Sequence, residues 1–134
     1  MVAALDYLSS LIAAALQKTP LVLSLQEMIA SNLMQIRESK WLQEKFAIAD
    51  TEQTNWSAPT YDTTILIDRR LKIESVFRVP WSSRYTRDGL FVDVSLTERK
   101  VSRLCNMHLE SLAANSPVRS LQLKAAARMR ECIA

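Results

Sequence analysis

Between Val2 and Leu16 the apolar residues Leu5, Leu8, Ile12 and Leu16 recur at spacings of three and four, with alanines between them. That period predicts a helix that lays one stripe on a core, ended by Lys18, Thr19 and Pro20. Leu21 to Leu25 is a short apolar run after a turn, which suits a buried strand, and Gln26 and Glu27 stand at its carboxyl end. Met28 to Arg37 returns to helical spacing through Ile29, Leu33 and Ile36, and Trp41, Leu42 and Phe46 predict a second short helical piece. Thr51 to Thr60 is polar and contains Pro59, as a surface loop would, with Trp56 packed on the surface or shielding a groove.

From residue 61 onward the pattern changes to strands. Tyr61–Ile67 and Leu71–Val79 read as a pair joined by the turn Asp68-Arg69-Arg70. Arg84 to Gly89 reads as a turn into Leu90–Leu96, where Leu90, Val92 and Val94 share a face. Thr97, Glu98 and Arg99 turn the chain into the strand that opens at Val101, so three consecutive strands predict an antiparallel meander. Pro117 starts a last helix to about Cys132, with apolar Leu121, Leu123, Ala125, Met129 and Cys132.

Chemistry concentrates in the stretch V-S-R-L-C-N-M-H-L-E-S, Val101 to Ser111. Its first half has the strand pattern, and then Asn106, His108, Glu110 and Ser111 arrive within six positions. Residues two apart on a strand share a face, so Asn106, His108 and Glu110 are expected to point the same way as the strand runs out. An amide, an imidazole, a carboxylate and a hydroxyl at a strand's carboxyl end can make a polar site. The plainer alternative is a hydrogen-bonded histidine with no chemistry.

At 134 residues the chain is one domain at most, with the 49% hydrophobic and 23% charged content of an ordinary globular chain. Its single glycine, Gly89, is far fewer than loops and turns normally use, so either helix dominates or loop-rich parts are missing. No apolar run reaches the roughly 20 residues that span a bilayer, and the start lacks the basic region of a secretory signal. Cys105 and Cys132, in a predicted strand and helix, read as reduced core residues, which sets an intracellular location, cytoplasmic or nuclear. Charge is uneven: residues 1–68 hold four Lys/Arg and eight Asp/Glu, residues 69–134 thirteen and six. A basic second half can meet phosphates, although most of these arginines are expected to be solvated surface.

The wording C-N-M-H-L-E-S, preceded by R-D-G-L-F-V-D-V and followed by P-V-R-S-L-Q-L, resembles the histidine strand of the endonuclease/exonuclease/phosphatase superfamily. Within it the likeness is to a fungal branch similar to 5′-tyrosyl-DNA phosphodiesterases, where H-L-E-S followed by R-x-x-Q-L recurs. The apolar strand followed by Gln26-Glu27 matches that superfamily's metal-binding glutamate. The resemblance implies an α+β fold, an α/β sandwich of antiparallel strands flanked by helices. It implies Glu27 as ligand to Mg²⁺, with Mn²⁺ as the alternative, His108 on the scissile phosphate, and Asn106 and Ser111 supporting that phosphate. Arg87 could reach substrate phosphate, though pairing with Asp88 or solvent exposure is the simpler expectation. Arg119 and Gln122 match R-x-x-Q-L, either as site residues or as anchors of the helix to the loop.

The chain contains neither G-D-x-N nor S-D-H, and no asparagine-bearing strand stands before its first helix. Residues 1–134 are therefore expected to form a partial domain of this type. The function that follows is a metal-dependent phosphodiesterase or phosphatase acting on a phosphodiester such as DNA, incomplete or inactive as this chain. The alternative is a non-catalytic module that binds nucleic acid or another anion. Neither reading sets an oligomeric state.

Overall fold

The computed structural model describes residues 2–14, 18–50, 53–58 and 60–131. Leu16, Pro59 and Cys132, each used in the sequence reading, lie outside them. Among the described residues, four α-helices flank two three-stranded antiparallel sheets: α1 (Val2–Ala14), β1 (Val22–Met28), α2 (Ala30–Glu38), α3 (Lys40–Lys45), β2 (Phe46–Ile48), β3 (Asp62–Asp68), β4 (Lys72–Pro80), β5 (Asp88–Thr97), β6 (Lys100–Met107) and α4 (Ser116–Glu131). The first sheet has the order β1-β3-β2 and the second β4-β5-β6.

Strand alternation explains the layering. β3 is buried along its whole length. Its Leu66 joins the cluster of Ile12, Leu33, Ile36, Leu42 and Phe46 under the helices. Ile65 and Ile67, on the other face, meet Leu90, Val92 and Val94 of β5 between the sheets. The remaining face of the second sheet carries Phe77 stacked on Phe91 at 5.3 Å, with Trp81 edge-on to Phe91 at 6.1 Å. Gly89 lies inside β5 rather than in a turn, because a Cβ there would sit 2.4 Å from Cζ2 of Trp81. α4 covers this face, where Arg103 donates to the carbonyl of Met129 at 2.6 Å.

The meander of β4, β5 and β6 forms as its pattern predicts, with β5 paired on both sides and one register shift in each pairing, between Ile73 and Ser75 and between Ser95 and Thr97. Several other expectations are corrected. β3 and β4 do not pair: the turn after Asp68 carries the chain from one sheet to the other, and β3 pairs with β1 and β2 instead. That turn is bound locally. Arg70 donates its guanidinium and its backbone N–H to the Asp68 carboxylate, which is held down to a pKa of about 2, chiefly by the guanidinium. Phe46 begins strand β2 rather than ending a helix. Met28 belongs to β1, not to α2. Trp56 is buried in the core under the helices, not packed on the surface. In α4, Leu121 and Leu123 are 61% and 53% exposed, and Ala126 is the buried apolar residue.

Candidate active site

One end of the sandwich gathers the carboxyl ends of β1 and β6 and the start of β3. The pairing of β1 with β3 shifts register between Leu25 and Met28, a bulge that holds Gln26 and Glu27. Glu27 takes a φ of 54°, the left-handed region that a non-glycine residue enters at a cost. The bulge turns its carboxylate outward, 71% exposed. His108 follows the last residue of β6, and its Nε2 lies 3.7 Å from Oε1 of Glu27. That is longer than a hydrogen bond. Burial, and after it the Arg87 guanidinium, holds the His108 imidazole below its ordinary 6.5, against the opposing pull of Glu27 and Glu110. At neutral pH the ring is therefore mainly uncharged and does not neutralise Glu27.

Asn106 is placed differently from the other expected site residues. It is 2% exposed, and its Nδ2 donates to the carbonyls of Leu25 and Thr64, both at 2.9 Å. Both amide hydrogens are thus spent on the protein. Ser111 is exposed and enters none of the hydrogen bonds among the described residues that tie this region together.

Glu110 does not share the face of His108, because β6 ends at Met107 and the alternation ends with it. Its side chain is fully buried and accepts from Ser83 Oγ at 2.6 Å, the Arg84 N–H at 2.9 Å and Asn115 Nδ2 at 3.1 Å. Burial alone would raise its pKa, yet the Ser83 hydroxyl, the Arg84 N–H and the charge of Arg87 keep it below the ordinary carboxylate value. Arg119 donates to the carbonyls of Glu110 and Leu112, and Gln122 Oε1 accepts from the Glu110 N–H. Arg119 and Gln122 thus anchor the helix to the histidine loop.

Arg87 is buried, not exposed, and is not paired with Asp88. It donates to the carbonyl of Leu109 at 2.7 Å, beneath that loop. A cavity of about 10 Å³ beside His108 is lined by Tyr61, Thr63, Arg87 and Asp88 among others. Asp88 instead belongs to a cluster that the sequence reading did not find. Arg78, from β4, reaches Asp50 at 2.7 Å, Asp62 at 3.0 Å and Asp88 at 2.8 Å, and donates to the Thr63 carbonyl at 2.7 Å. One signal was available: an arginine inside the apolar alternation of V-F-R-V is costly unless carboxylates meet it. Its three partners come from separate segments, which no local pattern connects.

Part of the basic half of the chain is committed internally. Arg70, Arg78, Arg87, Arg103 and Arg119 all donate to groups of the chain itself.

The donor set can be tested against a divalent cation. Among the described residues no group of three or more His, Cys, Asp or Glu could hold a metal ion. One exposed carboxylate does not make a closed protein cage. It does fit Mg²⁺, which is commonly held by one or two carboxylates with water and substrate phosphate supplying the rest.

No protein-family model matches this chain, and no curated protein matches it by sequence. Solved structures do. A selenomethionine crystal structure of TDP2 from Caenorhabditis elegans matches 82% of this chain at 25% identity, with a TM-score of 0.68. Truncated TDP2 from the same organism matches with a TM-score of 0.66, and a further TDP2 structure with 0.65, at the same identity and coverage. The match spans 32% of the full TDP2 chains and 42% of the truncated one. Antiparallel sheets flanked by helices, with this likeness to TDP2, give the chain a fold of the endonuclease/exonuclease/phosphatase type.

Proposed function

We propose that this chain is the part of a metal-dependent phosphodiesterase site that supplies one metal carboxylate and one phosphate-contacting imidazole. Glu27 would hold Mg²⁺, or Mn²⁺, and His108 would meet the scissile phosphate. The observation that carries the reading is their proximity. Two residues far apart in the chain, one on β1 and the other just past the end of β6 in the second sheet, come within 3.7 Å at an open rim. When bound there, a divalent cation would neutralise charge on a phosphate oxygen. The chain's own residues would bind and orient the phosphate. Neutral His108 donates from its ring to the phosphate, Arg87 holds the loop under it, and Glu110 fixes that loop to α4. Exposed Ser111 stands at the same loop as a further donor to phosphate.

Residues 1–134 form a partial domain in this reading. One metal ligand and one imidazole leave water activation unsupplied, and general-base help is typically worth ~10²–10⁴-fold in rate. Turnover by the isolated chain is therefore expected to be slow or absent. The substrate is proposed to be a phosphodiester such as DNA. The tyrosyl-DNA specificity and the fungal branch rest on H-L-E-S and R-x-x-Q-L alone. No helix among the described residues is long and apolar enough to cross a membrane. A cytoplasmic or nuclear setting belongs to the same proposal.

The test is an assay of the purified chain with Mg²⁺ and with Mn²⁺ on a 5′-phosphotyrosyl oligonucleotide and on a generic phosphodiester, beside isothermal titration of each metal. The reading expects metal binding that Glu27→Ala abolishes, with any turnover lost in the same variant. Salt-sensitive oligonucleotide binding with no metal binding would favour the non-catalytic binding module instead.

A further inference from the structure

We infer that Asn106 is a positioning residue, which seats the Glu27-bearing bulge of β1 against the His108-bearing end of β6. The inference builds on the reading of Glu27 and His108 as one site, and it gives Asn106 a role other than phosphate contact.

Backbone ladders cannot set the spacing of Glu27 and His108, because β1 and β6 belong to different sheets. Side chains must do it. At the bulge, Leu25 opposite Thr64 is the last regular pair, and pairing resumes at Met28 opposite Asp62. Where a ladder is interrupted, a side chain has to hold its end in place, and a backbone carbonyl has a second lone pair to offer such a donor. Asn106 Nδ2 meets the carbonyls of both Leu25 and Thr64. Its Oδ1 accepts from Gln26 Nε2 at 3.4 Å, and the same Gln26 nitrogen donates to the Met107 carbonyl at 2.7 Å. Residues 25 and 26 of one sheet are thereby cross-tied to residues 106 and 107 of the other, next to both site residues.

A short side chain with two N–H donors and one acceptor is what this junction uses, and asparagine supplies it. Aspartate would set a carboxylate against two carbonyls. Leucine, of similar size, would remove the bonds to both carbonyls and the acceptor for Gln26. Serine could serve only one. The junction also accounts for a glutamate in left-handed conformation. Such a backbone persists only where its surroundings over-determine it, and Asn106 holds the residue two before Glu27.

The test exploits the fact that His108 is the only histidine, so its ring gives one set of imidazole NMR signals. Glu27→Gln is introduced into wild type, into Asn106→Leu and into Asn106→Ser, with Val92→Ala as a core variant of lowered stability. The shift of the His108 ring protons is read in each background at one pH without metal, and Mn²⁺ affinity is measured in the backgrounds that retain Glu27. The expected result is a clear ring-proton displacement in wild type and in Val92→Ala, and its loss in Asn106→Leu. Asn106→Ser, which keeps one donor, should fall between and remains readable if the leucine variant does not fold. Mn²⁺ affinity should fall about tenfold or more in the Asn106 variants, as it does when groups that orient a metal ligand are removed, and should hold in Val92→Ala.

A Glu27→Gln displacement that survives in folded Asn106 variants, or that is absent from wild type, would overturn the inference. So would an equal loss in Val92→Ala. If wild type binds no Mn²⁺ while the displacement still depends on Asn106, the metal reading fails and the positioning role stands.

Discussion

The two sheets are joined at one end of the sandwich in two places, by charge on the β2/β4 side and by amides on the β1/β6 side. On the first side Arg78 binds Asp50, Asp62 and Asp88, all four side chains nearly excluded from solvent. On the second, Asn106 and Gln26 make the crossing with neutral groups, and the Glu27 carboxylate beside them faces solvent. A buried guanidinium among three carboxylates is fully committed to its partners, since removing any of them strands charge in low dielectric. An amide junction holds geometry without consuming the neighbouring charge. The side that holds with charge is a scaffold, and the side that holds with amides leaves a carboxylate and an imidazole for a ligand.

The largest expected effect breaks the charged side. Arg78→Met leaves three buried carboxylates without their cation and should cost about 3–5 kcal/mol in urea denaturation. A loss below about 1 kcal/mol would mean that the cluster is not a scaffold. Gln26→Leu removes the bonds to Met107 and Asn106 on the other side and should cost less, about 1–2 kcal/mol, by the same measurement. Glu27→Gly should act in the opposite direction. It relieves the left-handed backbone, gaining about 1 kcal/mol of stability, while abolishing divalent metal binding. Stability and site would then separate at one residue, which a thermal melt paired with a metal titration reads directly.

The smallest effect is in pH. Burial, more than any neighbour, raises the pKa of Asp88, against the pull of Ser57 and Arg78. Its folded form therefore binds more protons than the unfolded chain just above pH 3.8, and stability falls as pH rises through that window. Asp68 has the opposite sign: its pKa of about 2 makes stability fall as pH drops from 3.8 toward 2. Asp88→Asn should remove the first slope and Asp68→Asn the second, as seen in denaturation midpoints across pH.

Local features are legible in the sequence. Strands β4, β5 and β6 follow one another through short connections, so each apolar run predicts its own neighbour. The turn at Asp68 to Leu71 looks the same in sequence, yet it changes sheets, and only the burial of β3 on both faces distinguishes it. β2 is three residues long and follows a helix without a break, too short for a period to show. At the site, the wording around His108 and Glu27 is readable, but their contact and the bulge between Leu25 and Met28 are not. Alternation within β6 puts Asn106 on the face of His108, which suits a phosphate contact. Its burial depends on β1 and β3 crossing beneath it, and no spacing within β6 signals that.

The most direct test of the account is paramagnetic broadening of the one histidine. Mn²⁺ bound at Glu27 would lie within a few ångströms of the His108 ring, so substoichiometric Mn²⁺ should broaden its proton signals strongly while those of Val101, near the opposite end of β6, broaden far less. Glu27→Gln should restore them. If the His108 signals stay sharp at Mn²⁺ concentrations that titration shows to be bound, or broaden equally in Glu27→Gln, then Glu27 and His108 do not form one metal–phosphate site.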